Sequence, residues 1–233
     1  MSIKKHIPNT ITCLNLFCGG IAIVLASCQK LEYAAIMIIT AAIFDFFDGF
    51  AARLLKTNST IGKELDSLSD VVSFGVAPSI ITYQWLLPMD KFNIQIAEIA
   101  IVPIIFCLLF ACCAALRLAK FNLDNRQSDV FFGLPTPAAA FTLIALPFFE
   151  KNTYMFYIGL CILIVLCFAM LSNIKLLSLK FHNFKIKENF LRYFLVLIGL
   201  ILIIIFQFKA IPIIILIYIV FSLIDNLLTK KEI

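Results

Sequence analysis

Residues 33–78 read YAAIMIITAAIFDFFDGFAARLLKTNSTIGKELDSLSDVVSFGVAP. From Tyr33 to Phe44 the run carries no charge and no period-two alternation, so it reads as a helix built for an apolar solvent rather than as a half-buried strand. Asp45 and Asp48 then break the apolar pattern, and Glu64, Asp66 and Asp70 break the start of the next apolar run. An acid at the centre of a membrane helix costs about 2.5–3.5 kcal/mol on insertion scales. Several acids beside one turn therefore call for a function.

The rest of the chain places this stretch in a bilayer. Of 233 residues, 62% are hydrophobic and 14% charged, with a mean hydropathy of +1.03. A soluble core cannot hide so much Leu, Ile and Phe, and long continuous apolar runs select helices over barrel strands. The same composition excludes intrinsic disorder, a disulfide-stapled secreted domain and a soluble nucleic-acid binder. The expectation is an all-α, polytopic transmembrane helical bundle of about eight spans, at residues 10–28, 33–55, 68–87, 99–116, 133–149, 154–172, 193–208 and 211–228. Only Lys209 and Ala210 separate the last two, and Pro212 interrupts the second, so six or seven spans stay open.

Fifteen Lys and Arg fall on one side of the eight-span arrangement and four (Lys30, Lys91, Lys151, Lys209) on the other. By the positive-inside rule both termini face the cytoplasm, as does the turn between Asp48 and Asp66. The basic residues lie between apolar segments, which ties the net charge of +5 to topology and anionic headgroups rather than to nucleic acid. Residues 175–192, basic and interspersed with Leu and Phe, read either as an interfacial amphipathic segment or as a topology-setting loop. The first apolar run has no small-residue cleavage site, so no cleavable signal peptide is expected. The eight cysteines sit in apolar runs without CxxC spacing and read as small packing residues, not as a soft-metal site. Asp90, Asp124, Asp129 and Glu232 read as solvated caps, and Asp225 with Asn226 as interfacial.

Asp45 and Asp48 are three apart, Asp66 and Asp70 four apart, so each pair shares one helix face. A short connection with the turn formers Thr57, Asn58, Ser59 and Thr60 makes the two helices antiparallel neighbours, and the pairs converge near the cytoplasmic surface. Glu64, two residues from Asp66, faces away. Arg53 alone cannot neutralise four carboxylates, and an all-oxygen ligand set suits Mg²⁺ or Mn²⁺ with a phosphate-bearing substrate. Gly49, Ala51 and Ala52 lack bulk and let a phosphate approach the backbone, which reads as a pyrophosphate cradle.

The string Asp45-x-x-Asp48-Gly49-x-x-Ala52-Arg53, eight residues, Gly62-x-x-x-Asp66-x-x-x-Asp70 resembles the signature of the CDP-alcohol phosphatidyltransferases, with every spacing kept. Residues 65–78 (LDSLSDVVSFGVAP), Pro8-Asn9, 15–19 (NLFCG), 117–122 (RLAKFN), 133–140 (GLPTPAAA) and 172–175 (SNIK) are similar to the phosphatidylserine synthase branch, covering most of residues 8–180. Phe50 departs from a frequently polar position, and Lys120 stands where Arg is usual, so any contact there is a point charge rather than a planar fork.

The resemblance implies a homodimeric membrane enzyme of the bacterial inner membrane, its active site facing the cytoplasm, that joins CDP-diacylglycerol and L-serine to give phosphatidylserine and CMP. It implies a catalytic domain at 1–180, followed at 181–233 by a basic interfacial segment and two C-terminal helices. It also implies two divalent ions on Asp45, Asp48, Asp66 and Asp70, with Asp70 the general base. Asn9, Gly49, Ala52, Arg53 and Gly62 would line the CDP site. Arg117 and Lys120 would hold the serine carboxylate, with Ser73 and Asn122 offering hydrogen bonds; basic residues at a helix end also serve as snorkelling anchors. Pro78, Pro135 and Pro137 are expected to break or bend helices. A phosphate-bearing acceptor, glycerol 3-phosphate or inositol phosphate, stays open and would favour more basic residues. A divalent-cation transporter stays open too, although the acids lie toward the cytoplasmic ends and no acid marks an exit path.

Overall fold

The computed structural model describes residues 6–57, 59–87, 95–123, 131–176 and 190–229. Residues 177–189, most of the basic stretch, lie outside the described residues, as do Asp90, Asp124, Asp129, Glu232 and the side chains of Asp225 and Asn226. The apolar runs fold as helices. α1 (His6–Ser27) and α2 (Leu31–Leu54) form a close pair whose shared face is small: Ala22, Ala26, Ala34, Ala35 and Ala41 are fully buried. Without bulky side chains the two backbones approach closely, which is how membrane helices gain dispersion contact where water gives no driving force.

The next helix begins at Thr60, eight residues before the expected span, because Ser59 caps it by accepting a hydrogen bond from the Gly62 N–H at 3.2 Å. α3 (Thr60–Asp70) runs through a π-helical segment, Val71–Val76, straight into α4 (Ala77–Leu86). The wide turn answers Pro78. Its ring nitrogen has no hydrogen to give, and the preceding Ala77 N–H reaches back five residues to the Val72 carbonyl. Pro78 is thus carried inside a continuous helix rather than ending one.

α5 (Gln95–Leu123) extends well beyond the expected 99–116, making Arg117, Lys120 and Asn122 helical. α6 (Thr136–Ile144) starts at Pro135 and Pro137, which occupy its N-cap and first turn; they open the helix and do not bend it. A 3₁₀ turn, Leu146–Phe148, leads to α7 (Thr153–Leu171). β1 (Phe131–Phe132) and β2 (Lys175–Leu176) pair antiparallel, a ladder absent from the sequence expectation that strings the foot of α6 to the end of α7. Gly133 makes this possible. Its φ is +73°, and a β-carbon there would lie 2.5 Å from the Met170 carbonyl oxygen. Gly133→Ala should therefore lower the thermal unfolding midpoint in detergent by about 5 °C or more. An unchanged midpoint, followed by tryptophan fluorescence, would remove the ladder as a structural clamp.

α8 (Phe190–Phe206) and α9 (Ala210–Thr229) fold back on each other across a 3₁₀ turn in which Gln207 takes φ +51°. The rings of Phe194 and Phe221 lie 5.7 Å apart, and nearer the turn a β-carbon on Gly199 would sit 3.9 Å from Ile214. The two helices thus pair as an antiparallel hairpin. By length and apolarity alone, five stretches among the described residues qualify as membrane-crossing: His6–Ser27, Leu31–Leu54, Ile101–Leu123, Thr153–Leu171 and Tyr193–Ile224, the last containing this hairpin; Thr136–Phe148 is a shorter apolar helix.

Two apolar clusters hold the bundle. One joins α1, α2, α4 and α6 through Ala22, Ile38, Phe74, Ile81 and Ile144; the other joins α4 to α7 through Trp85, Phe110, Leu143 and Leu163. The exterior is apolar as well, with Leu54, Phe168 and Ile204 among many large exposed side chains. A soluble protein of this size does not present such a surface, and the chain is an all-α integral membrane protein. All eight cysteines are free thiols. Packing accounts for Cys18 and Cys107, which are buried, and in part for Cys113 and Cys167; Cys13, Cys28, Cys112 and Cys161 face outward instead.

Candidate active site and metal centre

α2 and α3 bring the acids together as their spacing requires. Asp45 and Asp48 project from the last turns of α2, Asp66 from the middle of α3, and one oxygen of each lies within 4.8 Å of the others. Asp70, one turn further along α3 and 9% exposed, stands beside this trio in electrostatic contact with all three. Like charges so close in a half-dry setting repel unless something positive joins them. Asp48 is 5% exposed, and its Oδ2 is buried with no hydrogen-bond partner. A hard divalent cation fits this all-oxygen set, with an orphaned carboxylate oxygen as its natural ligand.

Asp48 and Asp66 stand in the wall of a cavity of about 490 Å³ between the start of α1, the end of α2 and the start of α3. Asn9, Gly49, Ala52 and Gly62 line it beside Asp48 and Asp66. Gly62 is needed for close approach: a β-carbon there would fall 2.9 Å from Asn9 Oδ1. Arg53 is exposed at the margin, its guanidinium 3.8 Å from the position of a Gly49 β-carbon. Glu64 is exposed.

The turn between α2 and α3 is strained, with Lys56 at φ +50°, and the following Thr57 lines the cavity with a buried Oγ1 that has no partner. Non-glycine residues in the left-handed region cluster at functional sites. Thr57, Lys63 and Thr12, all on the cavity wall, were not singled out from the sequence. Asn15 was missed as well. It is fully buried, and its Nδ2 donates to Asp70 Oδ1 at 3.2 Å. The available signal was periodicity: Pro8, Thr12, Asn15 and Gly19 recur at helical spacing on the buried face of an otherwise apolar helix.

The four residues expected around the acceptor are not gathered into one group. Arg117 is 7% exposed, lies near Asp70 and Tyr218, holds its guanidinium carbon 5.8 Å from the Phe121 ring centroid, and has an Nε without a partner. Lys120 is exposed. Ser73 is fully buried and donates to the Asn15 carbonyl at 3.1 Å. Asn122 donates to Ser67 Oγ at 2.6 Å and accepts at its carbonyl from Lys63 Nζ at 3.2 Å, tying α5 to α3.

Known proteins resemble this chain over the residues that build the site. The family profile of the CDP-alcohol phosphatidyltransferases matches residues 5–174, which contain every residue of the cavity and end before the α8–α9 hairpin. A protein of Bacillus subtilis named CDP-diacylglycerol–serine O-phosphatidyltransferase is 36% identical over 178 residues, 76% of this chain and 93% of its own. One of Helicobacter pylori with the same name is 35% identical over 221 residues, 93% of this chain and 89% of its own. One of Methanocaldococcus jannaschii, also so named, is 42% identical over 177 residues, 75% of this chain and 76% of its own. With the family profile matching residues 5–174 and relatives so named matching most of the chain, the chain is an enzyme and belongs to the CDP-alcohol phosphatidyltransferase family.

Proposed function

We propose that this chain transfers the phosphatidyl group of CDP-diacylglycerol to the hydroxyl of L-serine, releasing CMP, in the cavity between α1, α2 and α3. The observation that carries it is the trio Asp45, Asp48 and Asp66, oxygens within 4.8 Å, two of which, Asp48 and Asp66, line a cavity large enough for a nucleotide diphosphate. The names of the relatives favour serine as the acceptor. So does the supply of buried positive charge: Arg117 is the buried basic side chain among the described residues near the acids, enough for a carboxylate but sparse for a second phosphate.

Asp45, Asp48, Asp66 and Asp70 would hold Mg²⁺ or Mn²⁺, two ions in our reading. Bound there, divalent ions supply neutralisation of the diphosphate and Lewis acidity at its oxygens. Asn9, Gly49, Ala52 and Gly62 leave room for the CDP moiety, and Arg53 at the margin meets its charge. Arg117 pairs with the serine carboxylate, with Lys120 as a more remote, solvent-facing charge. Ser73 and Asn122 serve the acceptor side through α1 and α3, to which their side chains are bonded. The serine hydroxyl oxygen attacks the lipid-side phosphorus in line, its proton passes to Asp70, and the phosphorus–oxygen bond to CMP breaks with the electron pair leaving on CMP. Asp70 stands outside the tight trio, which suits a carboxylate kept for proton transfer. A single displacement needs no nucleophilic side chain, and none stands beside a histidine in the cavity wall.

The distribution of Lys and Arg supports eight spans with both termini, and hence the α2–α3 turn, in the cytoplasm; a bacterial inner membrane is our proposed location. Residues 1–180 form the catalytic domain, 181–233 an interfacial segment with the terminal hairpin, and the working unit is a homodimer. The test is purified chain with CDP-diacylglycerol, Mg²⁺ or Mn²⁺, and serine, glycerol 3-phosphate or inositol phosphate, scored by CMP release. Release dependent on serine alone is expected. Release dependent on a phosphate-bearing alcohol would reassign the acceptor, and metal flux without CMP release would mean a transporter.

A further inference from the structure

We infer that Asn15 is a positioning residue for Asp70: its amide holds one carboxylate oxygen in place and so fixes the orientation of the carboxylate. This rests on the reading of Asp70 as the base. Asn15 sits in the middle of α1, fully buried, with Nδ2 donating to Asp70 Oδ1 at 3.2 Å. An ionised carboxylate only accepts hydrogen bonds, so the amide must present its nitrogen to Asp70. The opposite end, Oδ1, is then left buried without a partner. A helix interface gains nothing in packing from a half-satisfied amide that leucine would not give without the unmet polar atom. What leucine cannot do is orient Asp70.

The surroundings fix the geometry at this level of the bundle. Ser69, the residue before Asp70, donates to the Thr12 carbonyl at 3.3 Å, and Ser73, one turn after it, donates to the Asn15 carbonyl at 3.1 Å. Gly19 lets the helices close over Ser73, since a β-carbon there would lie 2.5 Å from Ser73 Oγ. α1 is therefore pinned to α3 immediately before and after Asp70, and the Asn15 amide meets that carboxylate at a fixed height. Groups that orient a reacting side chain are worth about 10- to 100-fold when removed.

The experiment uses the full chain in lipid nanodiscs with four variants: Asn15→Leu, Asn15→Ala, Ser69→Ala and Asp70→Asn. Asn15→Leu should lower kcat for CMP release about 10- to 100-fold, with both KM values within about threefold and the Mn²⁺ affinity, read by electron paramagnetic resonance without substrates, lowered by no more than kcat is. Ser69→Ala, which loosens the same seam without touching the amide, should stay within about twofold in kcat. Should Asn15→Leu not fold, as judged by size exclusion, Asn15→Ala decides by the same measures. The inference is overturned if kcat stays near that of the unsubstituted chain. It is equally overturned if kcat and Mn²⁺ affinity fall, both KM values rise and Ser69→Ala does the same, since that is a packing role. Normal kcat in Asp70→Asn would instead remove the base assignment on which the inference rests.

Discussion

Replacing Asp70 by Asn should lower kcat for CMP release by about 10²- to 10⁴-fold, the range for loss of a positioned general base. The substitution keeps the shape of a side chain that is 9% exposed between α1 and α3, so the helices have no reason to repack. It also removes a charge from a membrane helix, which favours insertion rather than opposing it. What it destroys is proton acceptance, because an amide at this position cannot take a proton from an alcohol near neutral pH. Yield and size-exclusion profile of the variant should therefore match the unsubstituted chain while CMP release with saturating serine, CDP-diacylglycerol and Mn²⁺ falls. Turnover at the normal rate would leave Asp70 with no part in proton transfer.

Much of this site was legible because its chemistry conflicts with its solvent. Asp45, Asp48, Asp66 and Asp70 announce themselves as acids in apolar helices, and their spacings of three and four fix which face they share before any tertiary contact is known. Gly62 was legible as part of a motif, but its physical reason, the 2.9 Å approach to Asn9, needs α1 and α3 side by side. Features that depend on long-range packing were not legible. Asn15 stood in a stretch resembling the family, but its bond to Asp70, like the contact of Thr12 with Ser69, shows only once α1 docks on α3. The ladder behind Gly133 arises from backbone groups meeting across the chain, for which residue type alone gives little warning. Arg117 and Lys120 looked equivalent from the sequence, three apart near one helix end; packing buries the first and leaves the second in the open.

That difference gives a test of the acceptor side. Arg117→Ala should raise the serine KM about 10- to 100-fold and leave the KM for CDP-diacylglycerol within about threefold, as expected for a lost hydrogen bond to a charged group worth about 1.5–3 kcal/mol. A guanidinium at 7% exposure is costly to bury unless anions compensate for lost water. Asp70 is near, yet Nε has no partner, so part of the guanidinium fork remains unmatched. A serine carboxylate can take such a fork in bidentate fashion, and Arg117→Lys should therefore recover only part of the loss. Lys120→Ala, at an exposed position, should change the serine KM by less than about threefold. If Arg117 served only to balance Asp70, its removal would depress kcat for every alcohol and leave the serine KM alone. A fall in kcat without a rise in serine KM would thus move Arg117 from the acceptor pocket to the electrostatics of the base.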